Sequence, residues 1–147
     1  MRVLLPTGAA SSADALLEVL QKYKTIAVVG LSSNTSRPSY GVSDYMQAAG
    51  YRIIPVNPNE TKVLGEKCYA RLEDVREKIG IVDVFRRAEA VGKVAESAVG
   101  VGAKALWMQL GIENAVAAEK ARTAGLIVVE DACISIEHRK RLQELGR

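Results

Sequence analysis

Histidine is nearly missing from this sequence: His138 stands alone beside 20 lysines and arginines. The two cysteines, Cys68 and Cys133, match no metal-binding spacing and no disulfide framework. A metal site is therefore not expected. Aromatic residues make up 5% of the chain, which leaves few rings to stack bases, and the net charge of +3 is mild. The basic residues are scattered, with clusters only at Arg86-Arg87 and from His138 to Arg141. That pattern argues against a nucleic-acid partner, and the second cluster reads as cations at a helix C-terminus. No segment approaches the roughly 20 apolar residues of a membrane helix. The apolar part of "MRVLLPTG" is too short for a signal peptide. Two thiols without a secretion signal point to a reducing, cytoplasmic location and no membrane partner. Paired carboxylates and a Ser-His-Asp set are also lacking. Cys133 and His138 are five residues apart across an expected helix start, a poor nucleophile–base pair. No catalytic residue is expected, with Cys133 a packed loop thiol and His138 a surface helix residue.

What the sequence does have is a recurring junction. "AAG-YRIIPV", "KIG-IVDVF", "GVG-AKALWM" and "TAG-LIVVE" each join a helix-like pattern to an apolar run. Glycine just after a helix takes up the left-handed conformation without a Cβ clash. The runs after Gly50, Gly80, Gly102 and Gly125 read as strands. With the run before Gly30, strands are expected at about residues 25–30, 52–56, 81–85, 104–108 and 126–129. Val42, Tyr45, Met46 and Ala49 have helical spacing, as do Val91, Val94, Ala95 and Ala98, and more briefly Leu72, Val75 and Ile79. Leu16, Leu17 and Leu20 mark an N-terminal helix at about 11–23, capped by Ser11 with Asp14. Ile134 to Leu145 reads as a closing helix. Strict alternation implies parallel strands and right-handed crossovers. The expected fold is α/β, a doubly wound parallel sheet of Rossmann-like type. It has about five strands with helices on both faces, in a single domain spanning 1–147. A flavodoxin-like strand order is the alternative.

Ligands of such sheets bind outside the carboxyl ends of the strands. The first such loop, from Gly30 to Arg37, is not a dinucleotide fingerprint, because Ser32 stands where a second glycine is needed. It offers the hydroxyls of Ser32, Ser33, Thr35 and Ser36, then Arg37, then Pro38 suited to a first helical position. A helix N-terminus beside a guanidinium favours phosphate. Gly41, inside that helix, costs roughly 1 kcal/mol against Ala, and close approach to the sheet or a ligand would explain it. The second strand ends at Val56-Asn57-Pro58, with no acid to take an NAD ribose; the nearest is Glu60. The third ends in Phe85-Arg86-Arg87, two cations suited to a polyanion. Asp83 reads as a structural buried acid and Trp107 as core. Gln109 is placed to reach the ligand edge.

Those residues carry a resemblance. "VVGLSSNTSRPSYGV", "YRIIPVNP", "LGEKCYARLEDV", "IVDVFRRAEAV", "AKALWMQLGI" and "AGLIVVEDACISIEH" resemble the single-domain coenzyme A-binding proteins. These are similar in fold to the N-terminal domain of the succinyl-CoA synthetase α-subunit. The resemblance runs from about Thr25 to about Leu142. It implies a Rossmann-type fold and coenzyme A as ligand. Gly30, Ser32, Ser33, Arg37, Pro38, Ser39 and Tyr40 match the family's phosphate loop. Val56, Asn57 and Pro58 match its nucleotide rim, and Phe85, Arg86 and Gln109 its remaining edge. The chain departs from the family at Ala132, Ile134 and Ser135, where relatives carry Arg before the cysteine, then Pro and Lys. The synthetase's phosphohistidine lies in a second domain, so His138 is not expected to inherit that role.

The expectation is a module that binds coenzyme A or an acyl-CoA through a strand-end phosphate site, without evident catalytic groups. Two alternatives stand beside it. One is a small NAD(P)-dependent oxidoreductase. The other is a CoA-site subunit of a separate ligase. A homo-oligomer or a ligase subunit are the partners that these readings allow.

Overall fold

All five expected strands form, and each is mostly buried and apolar, with Arg52 exposed at the start of one and Asp83 and Glu130 as buried acids. The computed structural model describes residues 1–9 and 14–146. In chain order its elements are β1 (Arg2–Leu4), α1 (Ala15–Lys22), β2 (Thr25–Val29), α2 (Pro38–Ala48), β3 (Arg52–Val56), β4 (Lys62–Val63) and β5 (Glu66–Lys67). Then come β6 (Ile81–Val84), α3 (Val91–Gly100), β7 (Ala105–Met108), α4 (Ala115–Thr123), β8 (Ile127–Glu130), α5 (Ile134–Lys140) and α6 (Leu142–Leu145). The main sheet has six strands in the order β1-β8-β7-β6-β2-β3. β3, β2, β6, β7 and β8 are mutually parallel, and β1 pairs antiparallel on the outside of β8. Numbered among themselves, the parallel strands run 2-1-3-4-5, the flavodoxin-like order of a doubly wound sheet.

Alternate side chains of each strand enter two separate cores. Ala27, Val29, Ile54, Val56, Val82, Val84, Leu106, Met108 and Val128 face α3 and α4. Ile26, Val28, Ile53, Ile81, Ala105, Trp107 and Val129 face α1, α2 and α5. A sheet covered on both faces needs apolar residues at every strand position, which is why the runs lack polar alternation. The chain leaves β2 toward α2 on one face and leaves β6 toward α3 on the other. The switch point therefore lies between the carboxyl ends of β2 and β6.

Several local expectations change. Leu72, Val75 and Ile79 do not form a helix. A 3₁₀ turn spans Leu72–Asp74, and Val75 is extended at φ −74°, ψ 129°. Leu72 and Ile79 are buried in one core with Val75 packed against it, so burial rather than helical period explains their spacing. Gly80 accordingly follows no helix; a Cβ there would lie 2.6 Å from Tyr23 Cβ, so its smallness serves packing. The α1 N-cap is Asp14, whose side chain accepts from Leu17 N–H at 3.2 Å; Ser11 lies outside the described residues. The closing helix breaks at Arg141, which pairs with both Asp14 and Glu137 at 2.8 and 2.9 Å. Strand β1 and the β4–β5 hairpin lacked a legible signal. The hairpin turns on Leu64 and Gly65, both at positive φ.

Gly41 also differs. A Cβ built there meets nothing within 4 Å, so neither sheet nor neighbouring loop requires a glycine. Gly41→Ala is expected to stabilise the protein by about 1 kcal/mol. A melting temperature below that of the parent would show a steric requirement at this position.

Candidate functional site

The site is built where the ends of β3, β2 and β6 are level. Gly30 N–H donates to Val56 O at 2.8 Å and Phe85 N–H donates to Val29 O at 2.9 Å. Gly30 has φ +94°, and a Cβ on it would sit 2.3 Å from Phe85 O. Only glycine fits, because both the left-handed backbone and the close approach forbid a side chain. Arg86 Nε lies 3.4 Å from the same point, so the turn and the guanidinium share one crevice.

The loop that follows is folded by its own side chains. Ser32 N–H donates to Ser39 Oγ at 3.1 Å, and Asn34 N–H donates to Ser32 Oγ at 3.0 Å. Asn34 Oδ1 accepts from Ser36 N–H at 3.0 Å and from its hydroxyl at 2.7 Å. Helix α2 then begins with Pro38 after Arg37, with no capping side chain and no acid in its first turn. Its uncapped N–H end and positive dipole are available to an anion. A cavity of about 230 Å³ opens here, lined by Gly30, Ser32, Arg37, Pro38, Ser39, Phe85, Arg86, Arg87 and Ile112. No ion pair occupies the three arginines among the described residues. Beside it lies a cleft of about 380 Å³, floored by Val29, Val56, Leu72 and Val94, with Arg71, Arg86 and Lys93 among its lining residues.

Gly30, Ser32, Arg37, Pro38, Ser39, Phe85 and Arg86 thus share one cavity, and Val56 lines the cleft next to it. The other named positions are placed differently. Tyr40 packs against the core beneath α2. Asn57 is buried, and its amide donates to Leu31 O at 3.0 Å and accepts from Asn59 N–H at 3.0 Å. It ties two loops together, and Pro58 is exposed just beyond it. Gln109 is 3% exposed and donates to Asp83 Oδ1 at 2.6 Å, so its amide is turned into the protein.

Ser33 shows what the sequence left hidden. Its N–H and hydroxyl both donate to Glu60 Oε2, at 2.8 and 2.9 Å. A carboxylate from the loop after β3 thus rests on the tip of the β2 loop. Twenty-seven residues separate the two, and no local pattern signals such a contact. Arg71, Lys93 and Ile112 are likewise brought in from loops and a helix that the strand-end reading did not include.

The departure segment is part of the scaffold. Ala132 and Ile134 are buried in the core, and Trp107 Nε1 donates to Ala132 O at 2.9 Å. Cys133 Sγ lies 3.2 Å from Ser135 Oγ. His138 is not on the surface: it is 5% exposed, with Nδ1 2.9 Å from Tyr45 Oη and edge-on contacts to Tyr45 and Tyr51. Burial, with Lys24 and Arg139 adding, holds its pKa below the usual imidazole range.

Comparison with known proteins places the chain in a family. The family model for the CoA binding domain matches residues 24–139. The chain belongs to the CoA-binding domain family. Within reach of this family is the uncharacterized protein YneT of Bacillus subtilis, 44% identical over 121 residues, or 82% of this chain and 90% of YneT. A hypothetical protein of Pyrococcus horikoshii has a solved structure 37% identical, with TM-score 0.86, covering 97% of this chain and 99% of that one. The ADP-forming acetate–CoA ligase II of Archaeoglobus fulgidus is 29% identical over 83 residues, 55% of this chain. That match spans only 12% of the ligase's length. The homology is to the CoA-binding part of such ligases.

Asp83 generates a prediction. It is fully buried, and desolvation pushes its carboxyl up to about 7 against the single hydrogen bond from Gln109. The native state therefore holds this proton more tightly than the unfolded chain does. Its contribution is fully present below the unfolded pKa of about 3.9 and is lost as pH rises toward 7. Stability should fall between about pH 4 and 7 from this group. Asp83→Asn should flatten that fall and stabilise the protein more at pH 8 than at pH 5. Urea unfolding at both pH values tests it, and an equal effect at both would refute it.

Proposed function

We propose that this chain binds coenzyme A along the carboxyl edge of its sheet. One observation carries the reading: Arg37, Arg86 and Arg87 line one cleft at the uncapped N-terminus of α2, without carboxylate partners. Guanidinium forks and a helix N-terminus match pyrophosphate oxygens. The apolar-floored cleft beyond Arg86 suits the adenine ring, and the cations at its rim, Arg71 and Lys93, suit the ribose phosphate. Family membership supports the same ligand. The names of the ligase relatives support a second reading, in which the chain lends its CoA site to a separate ligase. No residue is assigned a catalytic role, and two free thiols accord with a reducing, cytoplasmic setting.

Coenzyme A at 100 times its dissociation constant should stabilise the protein by about 2.7 kcal/mol. NAD and NADP should do so far less, since Asn57 at the end of β3 is committed to the loops. Arg37→Ala and Arg86→Ala should each weaken CoA binding by about 1.5–3 kcal/mol, roughly one to two decades. Lys at either position should recover only part of this. Titration calorimetry with CoA and dephospho-CoA separates pyrophosphate from ribose-phosphate contacts, and Arg37 should matter for both ligands. Parent-like affinity in both alanine variants would remove the site.

Glu60 opposes the ligand in this reading. Its charge sits on the tip of the loop where phosphate is to bind. Glu60→Gln keeps an acceptor for Ser33 and deletes the charge. It should tighten CoA binding by about 1 kcal/mol, a surface-type Coulomb effect, with the gain shrinking at high salt. Weaker binding in the variant would mean instead that the carboxylate contacts the ligand.

A further inference from the structure

The opposite edge of the sheet carries a second cationic cavity that the CoA reading does not use. It measures about 460 Å³ and is lined by Lys22, Lys24, Lys78 and Lys104 with Tyr23, and by no acid. That volume falls within the usual range of small-ligand sites. The lysines come from three segments of the chain, and the sheet fixes the backbones of Lys24 and Lys104. Lys24 O accepts from Arg52 N–H at 2.8 Å, Lys104 N–H donates to Gly80 O at 2.9 Å, and Lys104 O accepts from Ile127 N–H at 3.0 Å. Lys78 precedes Ile79, which is 4% exposed. The absent side chain of Gly80 lets Tyr23 close the wall.

Helix ends explain only part of this charge. Lys24 Nζ donates to Leu20 O at 3.1 Å, near the end of α1, and lies 4.7 Å over the Tyr51 ring. Lys22 Nζ stands 5.9 Å over Tyr23. Lys78 and Lys104 lie outside the helices, and neither ammonium has an ion-pair partner among the described residues. The carboxylate next in sequence, Glu77, is held by Arg52 at 2.7 Å. β2 is five residues long, so at about 3.3 Å per residue the two edges lie roughly 16 Å apart.

We propose that this amino-edge cavity binds a polyphosphate chain, free or carried by a nucleotide, independently of the carboxyl-edge site. Four lysines around one cavity without an acid among its lining residues favour a small, multiply charged anion. The concave, compact shape and single ring disfavour an extended nucleic acid. Lysines act as point charges, so the site should accept phosphate chains without a fixed orientation.

The test is titration of the ¹⁵N-labelled double variant Arg37→Ala, Arg86→Ala, which lacks two of the arginines of the other edge, with tripolyphosphate. Saturable amide shifts are expected at Gly80, Gly102 and Lys104. Adding Lys78→Gln and Lys104→Gln should weaken this binding at least tenfold with the melting temperature retained. ATP in a parallel titration distinguishes the sources. Tighter binding than tripolyphosphate indicates a nucleotide, and equal binding indicates the free chain. Shifts confined to residues 32–39, unchanged affinity in the lysine variants, or the same response to sulfate at matched ionic strength would each overturn the proposal.

Discussion

The carboxyl edge depends on one contact, the approach of Gly30 to the Phe85 carbonyl. With a Cβ on residue 30 only 2.3 Å from that oxygen, any other residue would force β2 and β6 apart at their ends. The ladder continues past both strands through Gly30 N–H to Val56 O and Phe85 N–H to Val29 O. Three strand ends are thereby held level while their connections leave to opposite faces. That divergence opens the crevice, and the same contact brings the Arg37 loop and Arg86 to its two sides. Fold and site share a cause at this point: a strand order that reverses, and a residue small enough to permit it.

The fold was legible because the sheet is covered on both faces. Each parallel strand had to be largely apolar, and Gly50, Gly102 and Gly125 mark the preceding helix ends at φ +103°, +78° and +103°. The loop from Gly30 to Pro38 was legible as one wall of the strand-end cavity for a related reason, since loop, Arg37 and Pro38 are contiguous. What escaped was whatever depends on partners far along the chain. Apolar spacing at Leu72, Val75 and Ile79 reports burial, and burial does not require a helix. Gln109 stands at the strand edge by sequence, yet a buried carboxyl at Asp83 needs a donor and takes its amide. His138 reads as surface because its helix end is basic, whereas Tyr45 and Tyr51 enclose the ring. Glu60 reached the loop through a turn set by Asn57, whose amide bonds Leu31 O and Asn59 N–H.

Asp83 and Glu60 are two of the acids that bear on the carboxyl edge, beside Glu73 in the cleft lining, and the protein treats these two differently. Asp83 lies two residues before Phe85, beneath the arginine cleft. Ionised, it would place a desolvated negative charge under the site. Desolvation holds its pKa near neutrality, so below about pH 7 the edge keeps its positive field. Glu60 lies at the rim in partial contact with water, where a carboxylate is inexpensive, and Ser33 supplies it two donors. A loop of free N–H groups costs free energy when empty. A carboxylate resting on its tip lowers that cost in the free protein.

The two edges of the sheet also differ in their cations, for a reason rooted in topology. In a parallel α/β sheet, helices begin at the carboxyl edge and end at the amino edge. The carboxyl edge therefore receives positive helix ends, and arginines there add directed forks to a field already favourable to anions. The amino edge receives negative helix ends, so cations there first offset the dipoles, as Lys24 does for α1 through Leu20 O. Lys104 lies beside the carboxyl end of α3 at Val101 and Gly102, whereas Lys78 follows no helix, and neither ammonium has an ion-pair partner among the described residues. Two exposed ammonium groups around one concave surface raise its positive potential. Positive potential of this kind, set apart from the arginines of the other edge, is what the anion proposed for the amino edge would meet.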